Sequence, residues 1–98
     1  MSALLDTVLK EIRERRDAIE ARYGVRLIGV VGSVARGEER DDSDIDIIYR
    51  ITGRPSLLDV AHIANDLEDS LGRSVDLVDP STVRQSGQEL MLKDLVAA

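Results

Sequence analysis

The stretch Gly32-Ser33-Val34-Ala35-Arg36-Gly37-Glu38-Glu39-Arg40-Asp41-Asp42-Ser43-Asp44-Ile45-Asp46 decides how this chain folds. It leaves one apolar run, Leu27 to Val31, and enters another, Ile47-Ile48-Tyr49. Two short apolar runs joined by a polar, glycine-punctuated segment predict strand, helical turn, loop and strand. Ser33 is expected to cap one helical turn from Ser33 to Glu38, and Gly37 to supply its left-handed exit. A small residue pair ahead of such a turn leaves backbone N–H groups free to hold a phosphate. From Asp44 to Arg50 polar and apolar residues alternate. Asp44 and Asp46 then share one face of the strand, and Ile45 and Ile47 the other.

The same stretch crowds six carboxylates, Glu38, Glu39, Asp41, Asp42, Asp44 and Asp46, into nine residues. Like charges ~4 Å apart repel by about 1–4 kcal/mol in surface dielectrics, so the cluster calls for a compensating cation. For Glu38, Glu39, Asp41 and Asp42 a solvated loop is a sufficient account. Asp44 and Asp46 are the pair that the strand would aim together.

Upstream, Ser2 to Tyr23 reads as a helix with Ser2 as its cap and Gly24 as its stop. Leu5, Val8, Leu9, Ile12, Ile19 and Tyr23 fall on one stripe. Arg15 and Arg16 read as a solvated face paired with Glu11, Glu14 and Glu20. Downstream, Ser56 with Asp59 forms a capping box for a helix to Leu71, stopped by Gly72. Val60, Ile63, Ala64, Leu67 and Leu71 are its apolar stripe, and His62 lies off it. Ser74 to Asp79 reads as a third strand, with Asp76 the one acid inside an apolar run. A charge there needs a metal or an arginine as partner. Asp79 and Pro80 form a turn and cap. Ser86 to Glu89 reads as a second capping box, opening a terminal helix whose apolar edge is Leu90, Met91, Leu95 and Val96.

Composition narrows the function. The 98 residues are expected to form one domain, 1–98, with an aliphatic core, because there are two Tyr and no Phe or Trp. Net charge is −6 and the isoelectric point about 4.7, which disfavours direct nucleic-acid binding and suits a basic protein partner. With no cysteine there is no disulfide or thiolate metal site. No apolar segment reaches the ~20 residues of a membrane span, so the chain is expected to be soluble and cytoplasmic.

Gly32-Ser33, ten further residues, then Asp44-x-Asp46 resembles the signature of the polymerase-β-like nucleotidyltransferases. The wider wording, Gly-Ser-Val-Ala-Arg-Gly-Glu followed by Ser-Asp-Ile-Asp-Ile, resembles their small prokaryotic branch, the minimal nucleotidyltransferase (MNT) domains. That branch includes MntA-type antitoxins paired with HEPN ribonuclease toxins. The resemblance implies a minimal α/β core, a three-stranded mixed sheet flanked by helices. It implies transfer of AMP from ATP to a hydroxyl, on a tyrosine of a HEPN toxin. Gly32 and Ser33 would hold the triphosphate, while Arg36 would either assist a phosphate or pair with the acidic loop. Gly29 and Gly32 mark either the nucleotide's close approach to the backbone or a position that eases packing or a turn. Asp44, Asp46 and Asp76 would bind two Mg²⁺, with Asp76 assisting proton removal. The chain has no spare residues for an acceptor domain, so the acceptor would arrive on a partner or in a homo-oligomer. Two other readings stand beside this one. One is a binding module that neutralises its partner by covering it. The other is nucleotide transfer to a small molecule such as an aminoglycoside.

Overall fold

A computed structural model describes residues 3–98; the expected Ser2 cap lies outside the described residues. Helix α1 (Ala3–Tyr23) buries Leu5, Val8, Leu9 and Ile12, and Ile19 and Tyr23 continue the stripe half-buried. It stops where Gly24 turns left-handed, at φ 71°, and donates to Glu20 O at 2.9 Å.

Strand β1 (Val25–Val31) runs antiparallel to β2 (Ile45–Ile51), which pairs in parallel with β3 (Val75–Val78). The parallel pair needs a crossover, and α3 (Leu57–Leu71) supplies it. Ser56 accepts from the Asp59 N–H at 3.2 Å while the Asp59 carboxylate accepts from the Ser56 N–H at 2.9 Å, the expected capping box. Gly72 closes the helix at φ 67°. His62 is exposed.

In β1 the register slips between Leu27 and Gly29, so Leu27 pairs with Tyr49 and Gly29 with Ile48. This bulge keeps Leu27 and Val30 both on the helix-covered face, where strict alternation would have sent one outward. The opposite face carries Val31, Asp46, Ile48 and Asp76. Leu27, Val30, Ile45, Ile47, Ile63 and Leu67 form the centre of an aliphatic core beneath α1 and α3. Leu67 is fully enclosed there. Leu67→Ala should therefore cost about 2–5 kcal/mol, read as a lower urea midpoint at unchanged slope.

The C-terminal region departs from the expectation. Helix α4 (Gln85–Lys93) starts after Arg84 with no side-chain cap, so the Ser86–Glu89 capping box does not form; Ser86 lies inside the helix. Leu95 and Val96 are not helical. Val96–Ala97 is a fourth strand, β4, antiparallel to β1 against Val30 and Gly29, and the sheet order is β3-β2-β1-β4. Glycine at position 29 makes room for it, because a Cβ there would lie 2.3 Å from Val96 O. What approaches Gly29 is thus the chain's own tail and not a nucleotide. Arg16 also departs from its expected role, since its Nη1 donates to Ala98 O at 3.0 Å. Arg15 pairs with Glu11 as expected, whereas Glu14 pairs with Lys10 and Glu20 with Arg26. No described helix is long and apolar enough to cross a membrane.

Candidate active site

Helix α2 (Gly32–Arg36) follows β1 without a linker, because Gly32 turns the chain sharply at φ 76°. Ser33 does not cap this helix. The preceding residue is the extended Val31, no side-chain cap bond forms, and Ser33 is already inside the helix. Its hydroxyl makes no hydrogen bond among the described residues and remains available to a ligand. Gly37 ends the turn at φ 71°, as expected. The loop that follows is held from a distance. Arg73 donates to Arg40 O at 2.7 Å and Ser43 O at 3.1 Å, and the Ile45 N–H donates to Ser74 O at 2.9 Å. Arg73 thus fixes the approach to Asp44, a role that no local pattern announces.

Asp46 is paired in register with Asp76 across the parallel strands, and both side chains rise from the face opposite α1 and α3. Asp44 precedes β2 by one residue and is exposed, as is Asp76. Asp46 is half-buried and leans over Gly32, where a Cβ would come within 2.5 Å of its Oδ2. Burial raises the Asp46 pKa, and the nearby charges of Asp76 and Asp44 raise it further. The Arg36 guanidinium opposes them. The three carboxylate side chains accept no hydrogen bond among the described residues.

This donor set is all oxygen and negatively charged, which suits a hard cation. Among the described residues no three acidic or histidine side chains converge into a ready-made cage. Mg²⁺ does not require one: it keeps several waters and is held by one or two carboxylates together with substrate phosphates. The site fits that ion. A cavity of about 410 Å³ opens elsewhere, at the far end of β2 beside Arg50, Ile51, Pro80 and Ser81. None of the three carboxylates lines this cavity.

Arg36, on the same side of α2 as Ser33 by its three-residue spacing, contacts Glu38 through Nε at 3.1 Å. Its Nη1 contacts Asp94 of the C-terminal segment at 2.7 Å. The hydrogen bond to Asp94, then that to Glu38, raises its pKa above the ordinary arginine value.

A glycine-serine strand-to-helix turn beside aspartates on β2 and β3 is the arrangement of a nucleotidyltransferase core. The chain belongs to the polymerase beta nucleotidyltransferase family, whose model matches residues 9–94. It is 38% identical over 96 residues to protein adenylyltransferase MntA of Thermococcus cleftensis, covering 98% of this chain and 90% of that one. A provisionally named protein adenylyltransferase of Methanocaldococcus jannaschii is 31% identical over 88 residues, covering 90% and 95%. A solved structure assigned as a minimal nucleotidyltransferase superposes with TM-score 0.70 at 37% identity, covering 90% of this chain and 93% of the other. A toxin–antitoxin crystal structure with AMP-PNP shares the fold at TM-score 0.58 and 20% identity, over 91% and 82%.

Proposed function

We propose that this chain adenylylates a partner protein, transferring AMP from ATP to a hydroxyl, with a tyrosine of a HEPN-type toxin as acceptor. The observation that carries this reading is the in-register pair Asp46 and Asp76 facing the Gly32 turn and the free Ser33 hydroxyl. The adenylyltransferase relatives favour AMP over other nucleotides.

In this reading the Gly32 and Ser33 N–H groups and the Ser33 hydroxyl hold the β- and γ-phosphates, and Arg36 adds positive charge. Asp44 and Asp46 would hold one Mg²⁺, and Asp46 with Asp76 a second. Mg²⁺ supplies charge neutralisation on the phosphates and makes the acceptor hydroxyl more acidic. Asp76 takes the proton as the acceptor oxygen bonds to the α-phosphorus. The bond from that phosphorus to the bridging oxygen breaks, and pyrophosphate leaves with the electron pair. Asp76 is exposed on the edge strand β3, which suits a group that must meet an incoming protein.

Intact-mass spectrometry of the protein encoded beside this one, after incubation with it and Mg-ATP, tests the reading. Adenylyl-sized increments are expected with wild type and none with Asp44→Asn plus Asp46→Asn. Mg-ATP should also raise the melting temperature of wild type but not of the double variant. An unmodified partner that still forms a stable complex would replace catalysis with neutralisation by binding. Neither modification nor complex would turn the search to small-molecule acceptors.

A further inference from the structure

We infer that Asp94 is a positioning residue for nucleotide binding: from the C-terminal segment it holds the Arg36 guanidinium on the face of α2 that presents Ser33. The inference rests on the reading above, in which the triphosphate lies at Gly32, Ser33 and Arg36.

The contact geometry separates the two acidic partners of Arg36. Glu38 is only two residues away, and its side chain is 67% exposed. Asp94 lies 58 residues away, and its side chain is 31% exposed. The segment carrying Asp94 is anchored on both sides. Before it, α4 ends with the Asp94 N–H donating to Met91 O at 3.3 Å. After it, Val96 and Ala97 pair with β1, the Ala98 N–H donates to Ile28 O at 3.0 Å, and Arg16 holds Ala98 O. The strand that receives this tail is the one that runs directly into Gly32 and Ser33. Asp94 is therefore referenced to the strand that enters the phosphate turn, and Glu38, whose N–H donates to Ser33 O at 2.8 Å, to the turn itself.

Local preference does not explain Asp94. It occupies the C-cap of α4, where the helix dipole disfavours a carboxylate. The pairing with Arg36 compensates for this. A guanidinium has five N–H donors; one on Nε and one on Nη1 are engaged, so three remain for a phosphate. Two carboxylates that fix the plane of the guanidinium direct those three. An exposed ion pair of this kind adds little to stability. Its loss should thus appear in nucleotide binding and not in melting temperature.

The test uses the full chain as wild type, Asp94→Asn, Asp94→Glu, Arg36→Ala and the Asp94→Asn/Arg36→Ala pair. Affinity for Mg²⁺ with a non-hydrolysable ATP analogue is measured by calorimetry, alongside KM, kcat and melting temperature. Arg36→Ala should weaken binding roughly 10–100-fold, the worth of a charged hydrogen bond. Asp94→Asn should weaken it roughly tenfold, seen in KM with kcat nearly unchanged, and should lose nothing more in the Arg36→Ala background. Asp94→Glu should recover part of the loss, and none of the Asp94 variants should melt more than about 2 °C lower. Normal affinity in Asp94→Asn, with Arg36→Ala weakened, would overturn the role of Asp94 alone. Tighter binding in Asp94→Asn would also overturn it, since the tail would then be withholding Arg36. Normal affinity in Arg36→Ala would instead remove the placement of the triphosphate on which the inference rests.

Discussion

Asp46→Asn should reduce AMP transfer roughly 10³-fold, the loss of several kcal/mol of metal-mediated stabilisation, while making the metal-free protein melt higher. The two effects share one cause. Burial and the like charges of Asp76 and Asp44 raise the Asp46 pKa in the folded state, with only Arg36 acting against them. The folded protein therefore binds that proton more readily than the unfolded chain between the ordinary carboxylate value and the raised one. Below the ordinary value both states are protonated and the site costs nothing. As pH rises through the window, stability is lost, and above the raised value the full penalty is present. Asparagine keeps the shape and removes the charge. Because Asp46 remains partly solvated, the gain is discounted to roughly 1–4 °C in melting temperature. Differential scanning fluorimetry in chelator, repeated from pH 4 to pH 8, checks it: the variant's advantage should appear as pH rises and vanish at the acid end. A variant that melts lower than wild type at every pH would mean that the Asp46 carboxylate is satisfied within the fold.

Gly32→Ala should lower both activity and stability, by a route that leaves every carboxylate in the sequence. An alanine at φ 76° carries about 1–2 kcal/mol of backbone strain, and its Cβ would come within 2.5 Å of Asp46 Oδ2. The backbone cannot give way at the junction of β1 and α2, so the Asp46 carboxylate must move. Displacing a reacting constellation by ~1 Å can cost about 10²-fold in rate. Gly37→Ala is the matched control. Its φ is 71°, but nothing lies within 4 Å of the new Cβ, so it carries the strain without the collision. Transfer assays should show Gly32→Ala down roughly 10²-fold and Gly37→Ala near wild type, with both melting lower. Equal activities would show that Asp46 has room to retreat, and the close packing of the site would have no catalytic meaning.

The parts of the molecule legible in the sequence are those specified by neighbours within a few residues. The stripe from Leu5 to Tyr23, the Ser56–Asp59 box, the glycine stops at 24, 37 and 72, and the alternation around Asp46 repeat at helix or strand periods. The core followed from the same alternation, because Ile45 and Ile47 had to turn away from Asp46. The spacing of Gly32-Ser33 to Asp44 and Asp46 was visible, as was the lone acid at Asp76, and the register of β2 with β3 sets Asp46 and Asp76 opposite each other.

Local chemistry misled where a distant segment competed. Ser33 has the residue type of a cap, yet the turn at Gly32 draws it into α2 and leaves its hydroxyl unspent. Ser86 and Glu89 have the spacing of a capping box, but the helix starts earlier, after Arg84. Val96 continues an apolar edge at helical spacing, but the open edge of β1 offers backbone hydrogen bonds that the end of a short helix cannot match.

The sequence by itself determined the α/β order and the aliphatic core, since periodicity and turn chemistry are short-range, and it singled out Asp44, Asp46 and Asp76 as candidates. Tertiary structure alone decided that Asp46 would lean on Gly32, that the tail would close the sheet against Gly29, that Arg73 would hold the acidic loop across 33 and 30 residues, and that Asp94 would reach Arg36 across 58. Each of these depends on backbone approach between remote segments, which packing of the whole chain sets and no local pattern encodes.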